Sequence, residues 1–141
     1  MQVETILQSK GRVVHTVSAD TKLAEAVNML TERRIGAVVV LDGKRVVGIL
    51  SERDIVRHLG KDWAALASRP VRDVMTSAVV TTGRYATVAE VMEQMTERRI
   101  RHLPVLEGGE LVGIISIGDV VKRKIEETEQ EATALKQYIA S

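Results

Sequence analysis

Two stretches of this chain, Gly48-Ile49-Leu50-Ser51-Glu52-Arg53-Asp54 and Gly113-Ile114-Ile115-Ser116-Ile117-Gly118-Asp119, each carry an apolar run into a Ser-x-x-Asp. A serine at the N-cap and an acid three residues on can satisfy two unpaired backbone N–H groups at a helix start, and taken alone a cap is the sounder reading of either copy. The same residue types also suit a ligand. A helix N-terminus offers free N–H groups and a positive dipole end to phosphate. A carboxylate one turn inside can accept from both hydroxyls of a ribose, and the serine hydroxyl can reach a phosphate oxygen. Gly48 and Gly113 fit the close approach of a flat ligand, or equally a bulge or tight packing.

The second copy follows the first by 65 residues, and the repetition extends well beyond the motif. Residues 18–58 align with 83–123 without a gap, placing TERRI (31–35) on TERRI (96–100) and VVGIL (46–50) on LVGII (111–115). Each copy opens on a β-branched strand, 13–17 and then 78–82. A helix follows with an i, i+3, i+4, i+7 apolar stripe: Leu23, Ala26, Val27 and Leu30, then Val88, Val91, Met92 and Met95. Thr87 and Glu90 form a capping-box pattern, whereas the first copy has Lys22 in place of Thr87 and leaves capping to Asp20 or Thr21. Two apolar runs joined by Asp42-Gly43, and by Glu107-Gly108-Gly109, read as hairpins.

Each copy is therefore β-α-β-β-α, in a mixed α+β or α/β chain. The expected division is 1–66 for the first repeat with its lead-in and connector, 67–127 for the second repeat, and 128–141 for a helical extension. The polar connector at 61–70 carries the sole tryptophan, Trp63, read as a plug under the linker. VRDVMT (71–76) is a short helical lead-in to the second repeat. Beyond Asp119 the last helix runs on without Gly or Pro, with Val121, Ile125, Ala132, Leu135 and Ile139 roughly on one stripe, which favours a homodimer contact over an intrachain strap.

At 141 residues the chain has room for one core of ordinary domain size. Two copies of about 60 residues cannot close separate cores comfortably, so they are expected to pack sheet to sheet about a pseudo-two-fold axis, with two related clefts at the seam. Twenty basic and 19 acidic side chains leave a net charge of +1, with no broad field for nucleic acid or anionic membrane. The chain has no cysteine and no phenylalanine, which excludes thiolate chemistry and leaves no base-stacking platform. No basic leader followed by an apolar core and no membrane-length apolar run occurs, so a cytoplasmic protein without a membrane partner is expected.

Together, VRDVMT, the two TERRI helix ends, RHLPV (101–105) and the twin GILSERD and GIISIGD resemble the paired CBS domain, the family named for cystathionine β-synthase, over roughly residues 3–125. The resemblance implies a regulatory module that binds adenosine compounds between its repeats: AMP first, with ATP, ADP or NAD(H) as further candidates and S-adenosylmethionine within the family's range. It implies that the acid of one motif binds ribose while the opposite repeat lines adenine and phosphate. Carried over by position, Ser51, Arg53 and Asp54 work with Val79, Ile100, Arg101 and His102. Ser116, Gly118 and Asp119 work with Val14, Ile35, Gly36 and Ala37. The first cleft gathers the cations and is expected to hold the phosphate-bearing nucleotide, because the second has Gly36-Ala37 and Gly118 where the first has Arg101-His102 and Arg53.

No nucleophile elbow, zinc-protease, P-loop or dinucleotide fingerprint is present, which favours binding without chemistry and no catalytic cofactor or metal. Two competing readings are a structural or oligomerisation module whose Ser-x-x-Asp motifs only cap helices, and a nucleic-acid regulator resting on the Arg pairs and Lys122-Arg123-Lys124. Glu126, Glu127 and Glu129 follow that basic run at once and weaken the last. The regulated partner protein is not named by any residue of the chain.

Overall fold

The two amphipathic stripes fold as helices that bury the expected faces. In the computed structural model, which describes residues 1–140, α2 (Leu23–Arg33) buries Leu23, Ala26 and Leu30, and its counterpart, here α5 (Val88–Arg98), buries Val88, Val91 and Met95. Thr87 and Glu90 cap α5 reciprocally, at 3.1 and 3.3 Å. Neither Asp20 nor Thr21 caps α2. Its first N–H, on Leu23, donates instead to the Arg69 carbonyl at 2.9 Å, so the connector does the work of a cap.

In the first repeat β1 (Thr16–Ser18) pairs in parallel with β2 (Ala37–Asp42), and β2 in antiparallel with β3 (Arg45–Ser51), which leads into α3 (Glu52–His58). In the second, β4 (His102–Glu107) and β5 (Glu110–Ser116) form the hairpin, and α6 (Ile117–Ala140) follows. Both hairpins turn on glycines with positive φ: Gly43 at 62°, and Gly108 and Gly109 at 57° and 82°. The strand expected at 78–82 is reduced to a single parallel bridge, Thr82 with Val105. Pro104 accounts for this. Its counterpart Val39 donates its N–H to the His15 carbonyl at 3.3 Å, and a proline has no N–H to give the corresponding carbonyl of Val80.

The two sheets, three-stranded in the first repeat and two-stranded in the second, meet along β3 and β5. Their cores do not follow the order of the chain. The core of the second repeat contains Val3, Ile6 and Leu7 from α1 (Val3–Lys10), all at most 2 % exposed, and that of the first contains Val71 and Val74 from the VRDVMT lead-in. Each lead-in thus closes the other repeat. Full burial of three aliphatic side chains, at about 1.5–3 kcal/mol each, anchors α1 across the seam. Arg84 adds ion pairs to Glu4 (2.8 Å) and Glu107 (2.5 Å), and hydrogen bonds from Arg12 first and Arg84 second hold the Glu4 carboxyl down at about 2.

The glycines at 48 and 113 serve this crossing. Both sit beside a bulge, where the β2–β3 and β4–β5 registers shift. A methyl on Gly113 would come within 2.6 Å of Leu7 Cδ2, and one on Gly48 within 3.1 Å of the Thr76 carbonyl. Bulge and tight packing, rather than a ligand face, explain both.

The short α4 (Trp63–Ala67) is N-capped by Asp62. Trp63 is no plug, being 37 % exposed; Leu66, a turn later, packs against the first core instead. The long α6 confirms the unbroken C-terminal helix as far as Ala140, and Ser141 lies outside the described residues. Among the described residues no helix is long and apolar enough to cross a membrane.

Gly113→Ala should destabilise the fold by about 1–3 kcal/mol, since Leu7 is 1 % exposed and has no room to withdraw. Denaturant unfolding of the variant checks this, and an unchanged midpoint would show that α1 does not press on β5.

Candidate functional site

The first Ser-x-x-Asp forms a cap. Ser51 accepts from the Asp54 N–H at 3.4 Å, and the Ser51 N–H donates back to Asp54 Oδ2 at 2.9 Å. The carboxylate is nevertheless more than a cap. Asp54, 4 % exposed, is the only charged side chain buried among the described residues, and its second oxygen accepts from the Thr76 hydroxyl at 2.9 Å. The Ser51 hydroxyl also lies 3.1 Å from Oδ2. A carboxylate has about four acceptor positions, and the three donors leave one, on Oδ1.

Beside this carboxylate a cavity of about 550 Å³ opens at the seam, within the ~300–1,000 Å³ usual for small-molecule sites. Of the residues expected in the first cleft, Ser51, Arg53, Asp54, Ile100, Arg101 and His102 all line it. Val79 does not, because residues 78–82 do not run along the hairpin as a strand; Thr76 stands at the cavity instead. Gly36 was expected in the other cleft but lines this one. It lies where the repeats face each other, and a methyl there would sit 3.3 Å from His102 Cε1.

The wall contains more cations than the sequence reading counted. Arg57 follows Arg53 by one turn of α3, and Arg98 and Arg99 end α5, so five arginines line the cavity together with the two acids Glu52 and Asp54. Arg99 is left-handed at φ 54°, and its carbonyl accepts from Arg53 Nη1 across the seam at 2.8 Å. That turn carries the chain from α5 into Arg101-His102. The i, i+4 spacing of Arg53 and Arg57 was the available signal for the former, and the repeated Arg pairs, read as helix-end charges, for the latter. Burial holds the His102 ring below its ordinary pKa, with Lys10 and Arg101 adding to that direction while Glu52 and Asp119 oppose it.

The second Ser-x-x-Asp caps in the same way: the Ser116 N–H donates to Asp119 Oδ2 at 2.8 Å, and the Asp119 N–H to Ser116 Oγ at 3.2 Å. Its surroundings differ. Lys10 of α1 donates to Asp119 Oδ2 at 2.7 Å and to the Ile114 carbonyl at 3.0 Å. Burial works to raise the Asp119 carboxyl, but the hydrogen bond from Lys10 and those from Ser116 outweigh it and leave it lowered. Ala37 is buried in β2 opposite Ser51, Ile35 packs against the first core, Val14 is half-buried before β1, and Gly118 is exposed.

Comparison with known proteins places this fold. The chain is 31 % identical to the CBS domain-containing protein CBSX3, mitochondrial, of Arabidopsis thaliana, over 97 % of this chain and 71 % of that one. It spans only 32 % and 23 % of two longer relatives. The crystal structure of the CBS-domain containing protein ATU1752 from Agrobacterium tumefaciens superposes with a TM-score of 0.83 at 45 % identity, covering 87 % of this chain and 92 % of that one. The CBS domain protein PAE2072 from Pyrobaculum aerophilum, solved complexed with AMP, superposes with a TM-score of 0.74 at 28 % identity, covering 84 % and 89 %. Residues 10–61 and 71–126 each match the CBS domain, and with two such repeats folded against each other the chain belongs to the CBS domain family.

Proposed function

We propose that the cavity between the repeats binds an adenine nucleotide, AMP first and ATP, ADP or NAD(H) as alternatives, and that the module signals occupancy to a partner protein without itself doing chemistry. The observation that carries this reading is that Arg53, Arg57, Arg98, Arg99 and Arg101 line one nucleotide-sized cavity together with the buried Asp54 and its partner Thr76. The wall suits phosphate, and charge-assisted contacts to phosphate are the stronger kind. With one acceptor position left on Asp54, the two ribose hydroxyls divide between Asp54 Oδ1 and Thr76 Oγ1. That one relative of this fold, PAE2072, is solved with AMP supports the same choice.

Signalling requires that nucleotide bind two arrangements of the molecule unequally. Groups from both repeats line the cavity, so a bound phosphate tightens the seam that Arg53 and Arg99 already bridge. The basic run at 122–124 does not favour nucleic acid: Arg123 pairs with Glu126 at 3.1 Å, and Lys124 lies 3.9 Å from Glu127.

The proposal includes a homodimer through α6. Val121, Ile125, Thr128, Ala132, Leu135 and Ile139 follow one another at alternating spacings of four and three, the pattern of a coiled-coil seam. Val121, Ile125, Leu135 and Ile139 are 41–74 % exposed on the single chain. In a parallel pair Lys124 faces the partner's Glu129, and Glu131 faces the partner's Lys136, opposite signs at both places, whereas an antiparallel pair sets Glu129 against its own copy.

Arg101→Ala should weaken AMP about tenfold while leaving adenosine, which has no phosphate, nearly unaffected; calorimetric titration of both ligands reads the difference. Equal loss for the two ligands would remove the phosphate from the arginine wall. Leu135→Glu should convert a dimer to a monomer in sedimentation, and a monomeric unsubstituted chain would contradict the helix pairing.

A further inference from the structure

The two lead-ins start alike and end differently. Val3 and Glu4 donate their N–H groups to Ala86 and Arg84 at 2.9 and 2.8 Å, and Val71 and Arg72 donate theirs to the equivalent carbonyls of Thr21 and Ala19 at 2.8 and 3.2 Å. After Asp73 the second lead-in leaves helical geometry. Thr76 then exchanges two backbone hydrogen bonds with Ile49, at 3.0 and 2.9 Å, and its hydroxyl reaches Asp54. The first lead-in stays helical as far as Lys10, whose ammonium reaches Ile114 and Asp119. In the 65-residue repeat, Ile114 and Asp119 are the counterparts of Ile49 and Asp54. A lysine ammonium therefore stands beside Asp119 where a threonine stands beside Asp54.

The substitution changes what the cleft can hold. A threonine hydroxyl both donates and accepts, so it can share a carboxylate with a ribose diol; an ammonium has donors only and neutralises the carboxylate it contacts. Lys10 and the Ser116 N–H both occupy Asp119 Oδ2, so a ribose entering there would meet only Oδ1, beside an ammonium that offers its hydroxyls no acceptor. Around Asp119 the 65-residue offset keeps Arg33, Arg34 and Lys122 as counterparts of Arg98, Arg99 and Arg57, but Gly118, Gly36 and Ala37 stand in place of Arg53, Arg101 and His102. Nor can α1 swing aside readily, because Val3, Ile6 and Leu7 hold it in the second core.

We propose that Lys10 closes the Asp119 cleft to nucleosides, making this repeat pair a single-site module with one nucleotide per chain, bound at Asp54. The assignment rests on the reading of the Asp54 cavity as the nucleotide site. It makes Lys10, which lies outside both Ser-x-x-Asp motifs, the residue that determines occupancy of the second cleft.

The test is calorimetric titration of the full chain with AMP and then adenosine, for the unsubstituted protein, Lys10→Thr, Lys10→Arg, Asp54→Asn and the Lys10→Thr/Asp54→Asn pair, each checked for an intact fold by circular dichroism. The expected stoichiometries are one for the unsubstituted chain and Lys10→Arg, two for Lys10→Thr, none for Asp54→Asn and one for the pair. Two sites in the unsubstituted chain, or Lys10→Thr gaining no site for either ligand, would overturn the role of Lys10. No binding to the unsubstituted chain combined with one site in Lys10→Thr would support Lys10 while overturning the Asp54 cavity as the nucleotide site. Loss of the unsubstituted chain's own site in Lys10→Thr would make Lys10 a ligand contact rather than a closure, and would also overturn the proposal.

Discussion

The structure depends on one exchange: each repeat is sealed by the segment that precedes the other. Val3, Ile6 and Leu7 complete the core of the second repeat, Val71 and Val74 that of the first, and Gly113 and Gly48 are bare so that these segments can lie against β5 and β3. A repeat of about 60 residues has too little apolar surface to close a core alone. The crossing supplies the missing side chains and at the same time ties the halves together. Because the lead-ins pass over the seam, they also deliver Thr76 to one Ser-x-x-Asp and Lys10 to the other.

That delivery makes two nearly identical motifs unlike. Both serines and both aspartates close the same reciprocal cap, and neither cap uses every acceptor position of its carboxylate. A cap uses the inner lone pairs of the carboxylate, and what remains is decided by the group that arrives from the lead-in. At Asp54 a hydroxyl arrives, and five arginines gather around the opening. At Asp119 an ammonium arrives; Arg33, Arg34 and Lys122 keep three of the matching charges, while Gly36, Ala37 and Gly118 stand in place of Arg101, His102 and Arg53. Duplication gave the scaffold its symmetry, and three or four side chains removed it from the clefts.

The parts of this arrangement that were legible in the sequence are those set by local pattern. Helical stripes, the Thr87–Glu90 capping box and the glycine hairpin turns rest on spacings within about ten residues, the repeat shows as the return of those patterns 65 residues on, and Arg53, Arg101 and His102 beside Asp54 could be anticipated from the unequal copies. What could not be read depended on contacts distant in sequence. Lys10 and Asp119 are 109 residues apart, and nothing near either one announces the pairing. Pro104 weakens a strand more than twenty residues upstream by lacking an N–H, an effect visible only once Val39 is seen to donate to His15. Trp63 was assigned to packing by residue type alone, and the helix it begins turns Leu66 inward instead. Arg98 and Arg99 looked like helix-end charges, which they are, but the left-handed turn at Arg99 also places them at the cavity.

The central claim, a nucleotide held across the seam, is tested most directly by the crystal structure of this chain grown with AMP. The account predicts phosphate oxygens within hydrogen-bonding distance of at least two of the guanidinium groups of Arg53, Arg57, Arg98, Arg99 and Arg101, with the ribose between Asp54 and Thr76. AMP bound only beside Asp119, or on an outer face with the seam cavity left to solvent, would contradict it.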